Sequence, residues 1–584
     1  MPAAAARPLH ALFPVLALVL GGLMHARPAH CCSPATPVRK PATDEGAVDF
    51  GVAVDHFLRA RAWLDADALP PVDSDAAKVD SGGVSAACVI LRLDGRFVGA
   101  GEDAHGDATM LRRAVGEAVA KALGDETIRS VRAAAGDRIT ARLSLEVELA
   151  GPLSPLLGRT IADACARVVP GRDGLAVRRG DQVVRAFPSR MSLTDTADRP
   201  SGVITSLLVD AGLPAKDLHE YDTRERVSLA RFQTVRVRGD SPRAAPSIVE
   251  RAGRTIEMQE IGKSVAAALG ARLATRLASE IVEIPTQAAA ADAQQRVWLR
   301  GTFDPTHDRY DPALASEREA ALALLALSRA RDSEALAPAV REVAKARAER
   351  LLAALAARPD EARTAMIESI CAIAAGKSSE RVRTLLAAQR ALGDKSAAED
   401  TLWLAAAADE QACADAVRDA LNLPPERQSE LARAILPLAL VAARGTLPVD
   451  LQDEVRSRLT RLAETLAPLQ IGSEGLPLGA GAGTMPADLA GGLAPQGSVR
   501  LDAHSTALAP FAALAIAHVG AFQPMQRGAL RFLAQHVADD PWVGGFRSPD
   551  ALRGLVRDSL AGNNCPPDRL ALGLLLALAA SENG

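Results

Sequence analysis

The strongest constraint on the fold of this chain is a change in hydrophobic period near residue 250. Beyond it, apolar residues recur every three or four positions, the spacing that gathers them on one face of a helix. Such segments run over Ser316–Arg331, Pro338–Ala357, Asp360–Ala375, Ser379–Leu392, Glu399–Ala407, Gln411–Leu421, Pro425–Arg444 and Asp450–Leu466. They continue at Thr506–His518, Pro524–His536 and Pro567–Ala580. The connections are short and often hold Gly or Pro, residues that stop helices. Roughly a fifth of the 584 residues are alanine, a small helix former, and they are densest from about 260 to 445. An all-α domain of antiparallel hairpins, an α/α toroid or helical repeat, is therefore expected over 301–584. Residues 468–500 are rich in Gly, Pro and Ala without a period, and read as a long loop of the kind that covers a mouth or concave face.

Ahead of the change the texture is mixed. Strand-like segments at Ala87–Leu93, Ser144–Leu149 and Gly174–Arg179 alternate with helical ones at Ala108–Leu123 and Gly202–Ala211. Asp94-Gly95 is a hairpin dipeptide. An α+β domain is expected over 48–242, and 243–300 is read as a connecting segment with a short strand signal at Ile281–Ile284. Residues 33–47 have the composition of a tether. Residues 1–32 read as a signal peptide: Arg7 and His10, an apolar run from Ala11 to Met24, then small residues at Ala26 and Ala29. The chain is therefore expected to be exported, to the periplasm, the envelope or the medium. His30 before Cys31 and Cys32 disfavours a lipid-attachment site, and no run after the leader has the length of a membrane span. The other cysteines, Cys88, Cys165, Cys371, Cys413 and Cys565, form no zinc-ligand spacing, although one disulfide between helices is conceivable in an exported protein.

Aromatic residues make up 3% of the chain, too few for a sugar cleft or a single-stranded nucleic-acid platform built by stacking. The net charge of −4 removes the electrostatic case for nucleic acid.

Four stretches of the α+β part resemble the AMMECR domain family. Ala87–Arg96 is similar to the family's strand and hairpin before its glycine-rich hexapeptide, and Leu143–Leu153 to its strand ending in a turn. Gly171–Gly180 resembles its H/D-G-L-x-[IV]-x-x-G segment, and Ala211–Pro214 with Arg231–Val235 its K-A-G-L-P helix end and closing strand. The family's L-R-G-C-I-G is matched here by Phe97–Glu102, with Val98 for the arginine, Gly99 retained and Ala100 for the cysteine. If the family's loop does covalent chemistry through a thiolate, the resemblance implies that this copy does not. Cys88 lies in an apolar strand and is expected to face the core.

The helical part resembles α/α-toroid proteins of terpenoid-cyclase or prenyltransferase type through Arg500–His504, opening a helix, and Trp542–Phe546, a Gly-Gly-Phe turn. The resemblance implies that Asp502 and His504 point into a central mouth. The cyclases' D-D-x-x-D cluster is missing, since Asp539-Asp540 has no third carboxylate, and so is the prenyltransferases' zinc set.

The candidate ligand-binding residues are Gly99, Ala100, Gly101 and Glu102 in the glycine loop, Arg178 and Arg179 beside it, and Asp502, His504 and Trp542 at the mouth. A G-x-G before a helix offers amides to an anion, with the arginines as positive charge, but the full dinucleotide pattern and a phosphate lysine are missing. Surface arginines on a solvated sheet are the plainer account, as are helix caps for Asp502 and His504 and solvation for Glu102-Asp103. Asp304, His307 and Asp308 lack a calcium-loop progression and read as an Asx turn. There is no G-x-S-x-G, no H-E-x-x-H and no metal set, so no catalytic residue and no cofactor is indicated. The reading favoured is a non-catalytic binding or scaffold protein for a small molecule, peptide or protein. The alternative is an enzyme with its site in the toroid mouth or the glycine loop.

Overall fold

A computed structural model describes residues 48–584 apart from 81, 95, 136–137, 159, 198, 214–226, 240, 251–252, 255, 285–295, 360–362, 393–396, 424–430, 432–433, 473–488, 494–506, 544–545, 547, 561 and 584. The expected leader and tether lie outside the described residues.

The N-terminal half is α+β. Its sheet contains β1 (Ala86–Leu93), β2 (Arg96–Asp103), β3 (Ser144–Ala150), β4 (Ser154–Pro155), β5 (Asp173–Arg179), β6 (Gln182–Ala186), β7 (Val227–Arg238), β8 (Ser247–Glu250) and β9 (Gly253–Arg254). The main path runs β2-β1-β3-β7-β5-β6, all antiparallel, with β4 and β8 also paired to β7. The long strand β7 does the bending. Its first half pairs with β5 and its second with β3, so the sheet curls until Arg185 on β6 donates to the carbonyls of Ser85 and Ala104.

Side chains on one strand alternate between faces, so the curl has two kinds of wall. Odd-numbered positions of β1, β3 and β7 face outward, against α1 (Phe50–Asp65) and α2 (Met110–Gly124), as with Val89, Leu91, Val147 and Val237. Beyond α2, α3 (Glu126–Ala135) and α4 (Ile161–Cys165) are short. Leu175, Val177 and Leu229 meet α6 (Pro200–Asp210) in a second outer core. Even positions line the inside, where Ala86, Cys88, Ile90, Ala100, Ala176 and Phe232 pack with Phe187 beside α5 (Pro188–Leu193).

The second half is all-α, preceded by the small ribbons β10 (Ile281–Ile284) with β11 (Arg296–Leu299), and β12 (Phe303–Asp304) with β13 (Arg309–Tyr310). Its helices are α7 (Lys263–Ser279), α8 (Glu317–Asp332), α9 (Pro338–Ala356), α10 (Ala365–Ala375), α11 (Glu380–Ala391), α12 (Ala398–Ala407) and α13 (Glu410–Leu421). They continue as α14 (Ile435–Arg444), α15 (Val449–Leu466), α16 (Leu508–Ile516), α17 (Gln523–His536), the short α18 (Asp540–Val543) and α19 (Pro549–Leu552), and α20 (Pro567–Asn583). Ser316, Thr364, Ser379 and Asp409 cap their helices by accepting a backbone N–H, and Gly376 and Gly445 end theirs in the left-handed region.

The contacts close a ring. Helix α8 packs on α10, α10 on α12, α12 on α14, α14 on α16, α16 on α20, and α20 returns to α8. Outside the ring lie α7, which precedes α8 in the chain, and α9, α11, α13, α15 and α17, which come between the inner helices, each laid against an inner neighbour. The domain is an α/α toroid. Inner helices are buried all round: every residue from Ala320 to Ser328 in α8, and from Ile435 to Ala442 in α14. Outer helices bury one stripe, such as Ala344, Ala348, Leu351 and Leu355 in α9. Helix α7 falls within the segment read as a connector. It belongs to the toroid because Ala266, Leu269, Leu273, Ala274 and Leu277 form such a stripe against α20. No helix among the described residues is long and apolar enough to cross a membrane.

Candidate functional site

The glycine loop is no loop. Gly99, Ala100 and Gly101 are buried within β2, under α2. A Cβ on Gly101 would stand 2.1 Å from the Ala114 carbonyl oxygen, and one on Gly99 2.4 Å from that of Ala118. The glycines admit a helix backbone, and their amides belong to a sheet ladder instead of an anion cradle. Arg178 and Arg179 do not join them: they lie on β5, which pairs with β6 and β7 and not with β2. Arg178 donates to the Gly180 carbonyl and Arg179 to that of Ala211. Trp542 is buried, with the Arg557 guanidinium 4.8 Å from its ring centroid and Phe546 edge-on at 4.7 Å. It is a wall of the toroid and presents no free ring. Asp502 and His504 lie outside the described residues. Asp304 does form the expected turn, accepting from the Thr306 amide at 2.9 Å and meeting His307 Nδ1 at 2.5 Å.

What the fold does assemble is a polar row on the inner face of the sheet. Cys88 stands opposite Glu102 on β2 and Glu148 on β3, and Glu148 stands opposite Arg236 on β7. In the next row, Ile90 is flanked by Ala100 and Glu146, and Glu146 by Arg238. Cys88 Sγ lies 4.0 Å from Glu102 Oε1 and 3.9 Å from Ser189 Oγ on α5. Glu148 accepts the Ser189 amide at 3.1 Å and the Thr234 hydroxyl at 2.7 Å. Glu146 is gripped by Arg92 at 2.8 Å and by Arg236 at 2.5 Å. At the rim, Glu102, its side chain about one-third exposed (36%), pairs with Arg190 at 3.3 Å, and Arg190 lies 5.9 Å from the Phe97 ring centroid.

These surroundings set the protonation states. Burial raises the Cys88 thiol well above its ordinary value, and the Glu102 and Glu148 charges push it further. Burial likewise raises the carboxyls of Glu148 and Glu102. Burial also opposes ionisation of Glu146, yet Arg236, Arg92 and Arg238 together outweigh it and hold that carboxyl far below the usual range. The row thus contains one committed anion between guanidiniums and a thiol that keeps its proton. A protonated thiol is a poor nucleophile. All the cysteines among the described residues are unpaired.

The sequence signal for this row was the alternation Ser144, Glu146, Glu148 on one strand and Thr234, Arg236, Arg238 on another. On an open sheet it would mark a solvent face. The curl and α5 cover it here.

The halves meet behind α5. Asn563, just before α20, donates its amide to Asp195 at 3.1 Å and its side chain to the Ser192 carbonyl. Ile471, Leu489 and Leu560 of the helical half join the core around α6. Most of the segment expected as a long loop lies outside the described residues; of the rest, Ile471 N–H donates to the Gly492 carbonyl at 2.9 Å and Gly491 N–H to that of Ile471 at 2.8 Å.

No family model matches the sequence, and no curated protein matches it. Among solved structures, the chain is similar to an uncharacterised protein PH0010 from Pyrococcus horikoshii, with 15% identity, TM-score 0.25, and 35% of this chain and 98% of that one covered. It is also similar to a single mutant of a thermostable endoglucanase from Alicyclobacillus acidocaldarius, with 12% identity, TM-score 0.33, and 76% and 98% covered. A metagenome-derived glycoside hydrolase family 9 endoglucanase shows 14% identity, TM-score 0.34, and 76% and 97% covered. The toroid described above is read from the helix contacts of this chain itself.

Proposed function

We propose that this chain is an exported binding or scaffold protein whose α+β half is a non-catalytic AMMECR-type domain joined to an α/α toroid. One observation carries the reading. Ala100 occupies the place of the family's cysteine, and the thiol nearest in register, Cys88, is fully buried beside two carboxyls. Such a thiol holds its proton, and a protonated thiol is a poor nucleophile. The described residues of the four family-like stretches fall on β1 with the start of β2, on β3, on β5, and just after α6 and on β7. The occupant would be a small molecule, peptide or protein. The full chain, offered ester, amide, glycoside and phosphoester substrates, should turn over none of them. Native Cys88 should resist iodoacetamide and react once guanidinium unfolds the chain. Turnover that disappears in Cys88→Ser or Glu102→Gln would overturn the proposal.

A second reading, an enzyme in the toroid mouth, is favoured by Asp400 and Asp568. They sit in the first turns of α12 and α20, on opposite sides of the inner ring, and burial raises both carboxyls. Turnover lost in Asp400→Asn but kept in Glu102→Gln would select it.

A further inference from the structure

On the outer side of the sheet, away from the Cys88 row, α1, α2, α3 and the turn at Ile139-Thr140 enclose a cleft of about 210 Å³. Its floor is apolar: Trp63, Leu64, Leu69, Val119, Leu123 and Ile139. An apolar cavity of about 150 Å³ is enough to hold benzene. This one therefore has room for a ring and a short tether. The polar edge is formed by Asp67, Thr140 and Arg132. Asp67 follows the end of α1 with φ 51°, a left-handed conformation that few non-glycine residues adopt, and its carboxylate is fixed by the Thr140 hydroxyl. That hydroxyl also reaches the Leu64 carbonyl at 2.9 Å, so carboxylate, hydroxyl and helix end form one rigid edge.

We infer that this cleft binds a small amphipathic amine, an aromatic or branched apolar group on the Trp63–Leu123 floor with its ammonium on Asp67. The ammonium matches the Asp67 carboxylate, which accepts from a cationic donor more strongly than from a neutral one, so it must seat on the Asp67–Thr140 side of the edge and away from the Arg132 guanidinium. Covering the apolar floor adds affinity through area removed from water, and the charge supplies the selection. None of these residues belongs to the Cys88 row, so the inference stands or falls apart from the proposed function.

Calorimetry on the full chain with 2-phenylethylamine, 2-phenylethanol and phenylacetate tests it. The amine should bind at sub-millimolar concentration, the alcohol more weakly and the acid weakest. Asp67→Asn, which keeps a residue tolerant of positive φ, should weaken the amine about fivefold and leave the alcohol unchanged. Leu123→Trp should fill the floor and abolish binding of amine and alcohol alike, with circular dichroism reporting an intact fold. Failure of all three probes to bind the natural chain would overturn the inference. So would phenylacetate binding tightest, or amine binding that neither variant changes.

Discussion

Gly101→Ala distinguishes a packing glycine from a ligand-cradling one. The added Cβ would lie 2.1 Å from the Ala114 oxygen and 2.5 Å from the Ala118 nitrogen, both backbone atoms that cannot rotate away. Real Cβ atoms essentially never approach closer than 3.0 Å, so α2 and β2 must separate by about 3.0 − 2.1 = 0.9 Å. The helix carries Leu111, Ala114, Val115, Ala118 and Ala122 into that contact, all of them buried. A gap of roughly 0.5–1 Å forfeits a quarter to a half of each dispersion contact. Overpacking of this kind costs typically about 1–3 kcal/mol, and backbone clashes on both sides place Gly101→Ala near the top, about 3 kcal/mol. At roughly 1.4 kcal/mol per decade, local opening should rise about a hundredfold.

Hydrogen exchange on the full chain reads this directly. Peptides covering β2 and α2 should lose about two decades of protection, while α8 and α14 in the toroid keep theirs. Gly202→Ala is the control, since a Cβ there meets nothing within 4 Å in the first turn of α6. It should stabilise by up to ~1 kcal/mol. Undiminished protection in Gly101→Ala would refute the packing account. Lost ligand binding with intact protection would restore the cradle.

Two further outcomes follow from the buried charges and the junction. Glu146→Gln removes the one anion between Arg92 and Arg236 and should destabilise the α+β half by about 3–5 kcal/mol at neutral pH, measured by urea unfolding. The folded carboxyl of Glu146 sits below its unfolded value. Its contribution is therefore complete above an unfolded value of about 4.3 and declines as pH falls below that, so natural chain and variant should converge in acid. Asn563→Ala removes the side-chain bond to the Ser192 carbonyl. Cleavage by a protease at the junction should rise severalfold while the toroid melts at an unchanged temperature, and equal cleavage would show that the apolar contacts of Ile471, Leu489 and Leu560 hold the halves alone.

Much of the architecture was legible because it is local. The Ile281–Ile284 strand occurs where the sequence places it, and α8, α9, α11, α12 and α13 fall within a residue of their expected limits, while α10 begins at Ala365, later than the expected Asp360. A helix declares itself through the spacing of its own side chains. The site was harder because its meaning lies in contacts between distant segments. Gly99-Ala-Gly101 before a helix reads equally as an amide cradle or as a strand lying beneath that helix, and only the approach of Ala114 and Ala118 decides. Alternating Glu and Arg on β3 and β7 spell a solvent face until β7 bends and α5 closes over it.

The toroid shows an intermediate case. Ring closure between α20 and α8 spans most of the helical half and no local pattern contains it. Yet the alternation of helices buried all round with helices buried along one stripe is written in composition, and alanine has a reason within it. Ala320, Ala321, Ala323 and Ala326 sit on several faces of α8, which must touch α10 and α20 at its sides and α9 behind. Short side chains on every face allow three close neighbours at once, whereas larger ones would hold them apart. The alanine excess is thus the sequence's record of an inner ring, and an Ala323→Leu substitution bears on the ring's diameter more than on the helix that carries it.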